Sequence, residues 1–406
     1  MAQFAHHNYT VQEGVYKAPV PTRVIFGEGK LESLRTEIEA LGGRRAFVLS
    51  GKTIAEKTDA VRSVRSALGD SCVGVYSGLT QRAPLANAVE ATRLALAAGA
   101  DTLVGVGGST IADASRMIGV MMTEKITDAD QLRRTSERER GLIHLDLTGK
   151  SLPLQVSLPT TLSAGEYNMG GGKILDDHAR KMIHVRHPSL FAQLIVLDPV
   201  LTIGTPDWLW YSSGIKALDH CVERLYTKGN QPMVDAAVLM GAELLYRYLP
   251  ESGEPLQDVH ARLQCQIGSW LSMASVPNNA MGLSHGLGHV IGTRYSLNHG
   301  YSSCVTLPHV MAFNRPASAR KQALLARAFG LDTRGMSDEA AASEAAQAVA
   351  GLIRRLKMPC TLRDLKIPKE DIPVIAQLTL GDGGCAYNAV PVTDAGQVVS
   401  VLENAW

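Results

Sequence analysis

The chain has 406 residues, with 40 Lys+Arg against 39 Asp+Glu, 45% hydrophobic residues and 38 glycines. That length exceeds what one hydrophobic core usually holds, so two domains are expected. A charged fraction of 19% with ample Leu, Val and Ala excludes a disordered chain, and a net charge of +1 argues against nucleic acid as a partner. The densest charge run, Arg133 to Arg140, alternates in sign and reads as a solvated face. No stretch approaches the roughly 20 apolar residues that cross a bilayer, so no membrane partner is expected. The N-terminal MAQFAHHNYTVQEG carries no apolar leader. Six cysteines (Cys72, Cys221, Cys265, Cys304, Cys360, Cys385) lie far apart without a CxxC pair. That spacing fits reduced thiols in a cytoplasmic protein.

In chain order, RAFVLSG (45–51) predicts a strand ending in a turn, and CVGVYSG (72–78) a second strand. ANAVEATRLALAAGA (86–100) has helical periodicity and stops at a glycine. It leads into DTLVGVGGST (101–110), a third strand with a Gly-rich turn, and PLQVSLPTT (153–161) and LIVLDP (194–199) are further strands. This alternation with short connections predicts a parallel sheet covered by helices. The charged residues at 124–150 read as a surface excursion of that domain. After about Pro199 the texture changes to long amphipathic stretches such as VDAAVLMGAELLYRYL (234–249) and EAAASEAAQAVAGLIRRL (339–356). We therefore expect an α/β nucleotide-binding domain with a parallel sheet over 1–200 and an all-helical catalytic domain over 201–406.

GVGGSTIAD (105–113) sits where a strand hands over to a helix. Glycines there let the backbone approach a pyrophosphate, and the helix N-terminus supplies free N–H groups. Gly107, Gly108, Ser109, Thr110 and Asp113 are the candidate residues, although such turns also serve plain packing and this one is not GxGxxG. SLPTTLSAGE (157–166) offers Thr160, Thr161 and Ser163 at the next strand tip, where a capping turn is the bland alternative. Two such turns at successive strand ends favour a nucleotide site. Four of the 12 histidines form a second pattern. Lys216 and His220 are four apart on a helical stretch, His285 and His289 share a face of another, and His299 follows a turn. A lone HxxxH is more often packing, but further histidines at neighbouring helices point to a site.

These residues resemble the iron-containing alcohol dehydrogenase superfamily, and particularly its maleylacetate reductase branch. The resemblance runs from Pro21 to the C-terminus. TRVIFGEG (22–29) resembles the family's first strand and turn, and GGSTIADASR its GGGS turn, with Ser109 for a glycine and Thr110 for the serine. PTTLSAGE resembles the PTT…GSE segment, DPVLT (198–202) the interdomain DP, and MGLSHGLGH…LNHG…LPHVMAFN the long His motif. The resemblance implies a dehydroquinate synthase-like fold, a homodimer, NAD or NADP as cofactor, and a small-molecule substrate in the interdomain cleft. Ser50, Gly51, Lys52, Lys173 and Lys181 join the expected cofactor-binding set. Relatives strict for NAD place an Asp at the first nucleotide strand's tip, whereas this strand ends Leu49-Ser50-Gly51-Lys52. The family's metal is held by an Asp and three His, which carry over to Lys216, His220, His285 and His299, while His289 matches a pocket histidine. Because an ammonium has no lone pair and repels a dication, no catalytic metal is expected. Lys216, His220, His285, His289 and His299 are the expected catalytic residues.

The implied reaction is hydride transfer to a small oxo-acid, as in a maleylacetate reductase. Two alternatives stand beside it. One is an alcohol or aldehyde dehydrogenase of another small substrate, favoured by residues 121–150, most of which maleylacetate reductases lack. The other is a non-catalytic nucleotide-binding homologue, suggested by the altered ligand set and opposed by the four intact histidines.

Overall fold

The computed structural model describes residues 16–17, 22–138, 142–144, 146, 148–168, 170–274 and 278–406. The N-terminal stretch read as leaderless and the end of the 133–140 charge run fall outside them. The first half opens with β1 (Arg23–Phe26), α1 (Leu34–Ala40), β2 (Ala46–Gly51), α2 (Lys52–Lys57), α3 (Ala60–Leu68) and β3 (Cys72–Leu79). It continues with α4 (Leu85–Ala97), β4 (Thr102–Gly107), α5 (Ser109–Thr123), α6 (Ala129–Arg138), β5 (Leu142–His144) and β6 (Leu154–Pro159). A hairpin of β7 (Gly171–Asp176) and β8 (Lys181–Arg186) precedes β9 (Leu194–Leu197).

Six strands form one parallel sheet in the order β1-β9-β6-β4-β2-β3. Its central strands read as continuous apolar runs because helices cover both faces. Ala46 and Val48 pack with Val104, Val156 and the α1 and α3 residues Leu34, Ile38 and Val64. Phe47, Leu49 and Leu103 pack on the other side with Ala88, Ala91, Ala114 and Ile118 of α4 and α5. From β2 the chain steps outward to β3 and then returns to β4 on β2's other flank. Ligands of open α/β sheets settle at such a reversal, outside the carboxyl ends of the strands. Gly51 and Gly107 stand at those two ends.

The 124–150 excursion is more ordered than the sequence reading allowed. It supplies α6 and β5, and β5 pairs with β8 in a second sheet, β5-β8-β7. Arg133 of α6 binds both carboxylate oxygens of Asp176 at the hairpin, at 3.0 and 3.2 Å. One end of the charge run is thus docked and not merely solvated.

The second half is helical: α7 (Asp207–Tyr226), α8 (Pro232–Tyr248), α9 (Val259–Met273), α10 (Leu283–Arg294) and α11 (His299–Ala328). Then follow α12 (Asp338–Arg355), α13 (Ile372–Leu380), α14 (Gly383–Tyr387) and α15 (Ala395–Asn404). α7 is buried along most of its length, with Trp210, Ile215, Leu218, Val222 and Leu225 in the main helical core. All six cysteines are free thiols. Among the described residues no helix is long and apolar enough to cross a membrane.

Candidate active site

The glycine turn forms as the sequence suggests. Gly107 has φ +154°, and a Cβ there would lie 2.5 Å from Ile111 Cγ1, so only glycine fits without displacement. Gly108 caps α5 and lies against Thr161, whose Oγ1 would be 2.8 Å from an added Cβ. Ser163 Oγ accepts the Ser109 N–H at 3.2 Å and lies 3.0 Å from Thr161 Oγ1. The two polar turns therefore meet at one helix N-terminus, whose dipole suits a pyrophosphate. Residues beyond the sheet pin the second turn. Ser213 Oγ of α7 accepts the Leu162 N–H, Ser269 Oγ of α9 donates to the Leu162 carbonyl, and Thr205 Oγ1 donates to that of Thr160.

Beneath this turn Asp113 and Arg116 are both buried, 3.5 Å apart. The Arg116 guanidinium also donates to the carbonyls of Gly165 and Gly171 at 2.6 Å. Asp113 is thus part of the scaffold that joins α5 to β7. At the β2 tip, Ser50 is fully buried with its hydroxyl turned to the Gly51 carbonyl, while Lys52 is exposed and 3.7 Å from Glu56. Glu56 is a carboxylate that the sequence reading overlooked at this tip. Lys181 is exposed at the start of β8, remote in sequence from both turns. Lys173 leaves β7 towards Asp113, with 3.8 Å between Nζ and Oδ2.

In the helical half, the four histidines cluster as a chain of rings. His220 and His285 have centroids 5.6 Å apart, His285 and His289 4.6 Å, and His289 and His299 5.9 Å. Helix α7 brings His220, α10 brings His285 and His289 one turn apart, and α11 begins at His299 because Asn298 caps it through the Gly300 N–H. His299 Nδ1 lies 3.1 Å from the Gly288 carbonyl, so it carries the proton and leaves Nε2 a lone pair. His289, the exposed member, pairs through Nδ1 with Asp382 at 2.8 Å. His220 Nδ1 is buried without a partner among the described residues.

Lys216 lies one turn before His220 and makes no hydrogen bond among the described residues. Burial pulls its pKa down to about 8, with Asp219 opposing that and Lys173 adding to it. Burial is the main cause, and the neutral imidazoles are not among the charges that act on it. Burial, then the Lys216 charge, holds His220 and His285 well below the usual imidazole range and takes His299 down to about 3.

Two carboxylates missed by the sequence reading complete the α7 face. Asp219 accepts from Ser284 Oγ at 3.0 Å and Ser303 Oγ at 2.7 Å, which leaves Oδ1 buried and unpaired among the described residues. Glu223, fully buried, accepts the N–H groups of Gly282, Ser284 and His285 and so caps α10. Burial raises both, Asp219 to about 6, where its two serines oppose the rise, and Glu223 to about 8, where three amides oppose it. Lys216, Asp219, His220 and Glu223 stand at i, i+3, i+4 and i+7, one stripe of α7. That spacing was legible in the sequence.

Residues 21–199 match the family model described as iron-containing alcohol dehydrogenase, and residues 211–406 that of the Fe-containing alcohol dehydrogenase family, C-terminal. The chain is 30% identical to maleylacetate reductase of Burkholderia cepacia over 370 residues, 90% of this chain and 91% of that one. It is 28% identical to lactaldehyde reductase of Escherichia coli (strain K12) over 389 residues, 94% and 97% of the two chains. Among solved structures it is similar to a 1,3-propanediol oxidoreductase, with TM-score 0.87, 25% identity, and coverage of 97% of this chain and 100% of that one.

Proposed function

We infer the function from one premise: the chain belongs to the iron-containing alcohol dehydrogenase family. It is an oxidoreductase acting on a CH–OH or C=O group with a nicotinamide cofactor. Within that family we read it as a reductase of a small oxo-acid that works without a catalytic metal. The observation that carries this reading is Lys216, an unspent ammonium on the α7 stripe beside three neutral imidazoles. Such a donor set does not suit the family's metal, since the ammonium offers no lone pair and repels a dication. The similarity to maleylacetate reductase supports an oxo-acid, whose carboxylate suits a fixed cation.

In this reading Gly107, Gly108, Ser109, Thr110, Thr160, Thr161 and Ser163 hold the pyrophosphate, and the bound nicotinamide supplies the hydride. Lys216 aims N–H donors at the carbonyl oxygen, strengthens its hold as alkoxide charge develops, and gives up a proton to complete the alcohol. His285 and His289 link that position to solvent, so the proton returns through the exposed His289. The similarity to lactaldehyde reductase favours a second reading, reduction of an uncharged small aldehyde by the same groups.

The test is oxidation of NADH and of NADPH with a panel of oxo-acids and aldehydes, before and after dialysis against a chelator. We expect the highest kcat/KM with an oxo-acid, insensitivity to the chelator, and use of both cofactors. The Lys52 ammonium at the β2 tip tolerates a 2′-phosphate, and Glu56 beside it tempers any preference for one. Activity lost to the chelator and restored by one metal per chain overturns the metal-free reading. A preference for NADH above about a thousandfold, near 4 kcal/mol, requires a further discriminating group.

A pH profile follows from Lys216. The acid form donates, and it is present below a pKa of about 8. We therefore expect kcat/KM to fall about tenfold per pH unit above that value. A bound carboxylate raises the ammonium's pKa, so the kcat limb lies at higher pH. A kcat/KM that keeps rising to pH 10 would exclude Lys216 as the proton donor.

A further inference from the structure

Lys173 occupies a position that a purely cofactor-binding role does not explain. Gly172, the residue before it, packs directly on α5, where an added Cβ would lie 2.9 Å from the Asp113 carbonyl oxygen and 3.0 Å from Arg116 Cβ. Strand β7 is thereby seated against the helix that the glycine turn starts. Alternation then turns residue 173 outward while Ile174 enters the core. His184 pairs with Lys173 across the hairpin and Arg186 stands on the same face, opposite Gly171. The ion pair with Asp113, at 3.8 Å, is the only polar contact of Lys173 among the described residues, and the closer partner of Asp113 is Arg116.

The hairpin is also tied to the histidine helix. The Leu175 N–H donates to the carbonyl of Arg82, and the Arg82 guanidinium donates to the Gly292 carbonyl of α10 at 2.9 Å. Gly292 is packed against His299, whose Nδ1 would lie 3.1 Å from an added Cβ. The Arg82 bonds thus tie β7 to the end of α10 that meets His299. The charge of Lys173 is accordingly felt at both Lys216 and His299. Two ammoniums within electrostatic reach of each other repel, and an anion lying between them removes that cost.

We propose that Lys173 binds the carboxylate of the substrate while Lys216 takes the carbonyl oxygen, so that the cleft selects carbonyl compounds carrying a second, anionic group. This assignment rests on the oxo-acid reading above. It moves Lys173 from the cofactor set to the substrate. Arg186 on the same face adds to the positive field, while burial and then the Lys173 charge hold His184 below the usual imidazole range.

The experiment compares succinic semialdehyde with butanal, which share four carbons and an aldehyde and differ by one carboxylate. Steady-state kinetics with NADH are measured for the full chain and for Lys173→Met and Lys173→Arg. The wild-type protein is expected to prefer succinic semialdehyde. Lys173→Met should cut that preference by about thirtyfold, near 2 kcal/mol, chiefly through KM, and Lys173→Arg should restore most of it. A wild-type protein that favours butanal overturns this proposal and the oxo-acid reading together. A wild-type preference that survives in Lys173→Met overturns this proposal alone. So does a rise in the KM for NADH that is equal with both substrates, because Lys173 would then serve the cofactor.

Discussion

Lys216→Ala is expected to lower kcat/KM by about a hundredfold or more, on the order of 3 kcal/mol of transition-state stabilisation. The lysine lies one turn before His220 with its hydrogen-bonding capacity unspent within the described residues, whereas Arg224, one turn after it, is bonded to Asn279. His220, His285 and His299 are held neutral, so none of the three replaces the lysine's positive charge at a nascent alkoxide. The same substitution should not harm the fold. Burial disfavours the ammonium, as its lowered pKa shows, so removing it relieves a desolvation cost and leaves stability equal or higher. Steady-state kinetics, nucleotide Kd and a guanidinium midpoint on the same preparation separate the two effects. An alanine variant with wild-type kinetics would leave the histidines to carry the chemistry alone.

Glu223→Ala is expected to cost about 3–5 kcal/mol of stability, because it strands several buried N–H donors at once. The carboxylate accepts three N–H groups at the start of α10, where the helix dipole also favours a negative charge. Alanine leaves those donors buried and unpaired, at about 1–3 kcal/mol for each that finds no water. Glu223→Gln keeps an acceptor oxygen and should recover part of the loss. Because α10 carries His285 and His289, activity should fall along with the denaturation midpoint, and more steeply in the alanine variant. A midpoint unchanged in Glu223→Ala would show that water or a neighbouring group caps the helix instead.

Much of the fold was readable along the chain. The apolar runs at 45–51, 101–107 and 194–197 became β2, β4 and β9 because sheet strands covered on both faces have no polar side to interrupt them. The α7 stripe was equally readable, and the i, i+4 rule already placed Lys216 beside His220 and His285 beside His289. Asp219 and Glu223 lay in the same stripe and were passed over. Their type alone suggests solvent, and only the serines and amides around them show why carboxylates are tolerated there. The β7–β8 hairpin was missed although KILDDHARKMI sets an apolar pair on each side of a polar turn. Its neighbour β5 has three residues and no pattern of its own. It exists because the edge of β8 offers it backbone partners.

Residue order by itself determined which helix each candidate residue rides on and which polar turns end successive strands, since both follow from short-range periodicity and from glycine's backbone freedom. Only the tertiary structure decided their chemical state. Lys216, His220, His285 and His299 come from three helices separated by up to 83 positions, and their charges are set by mutual distance and burial, which no local spacing encodes. Lys173 is the clearest case. In the sequence it is one lysine after a run of glycines. In the fold it is exposed on β7 beside Asp113 and its charge reaches Lys216, because β7 is seated on α5 and Arg82 ties that hairpin to α10.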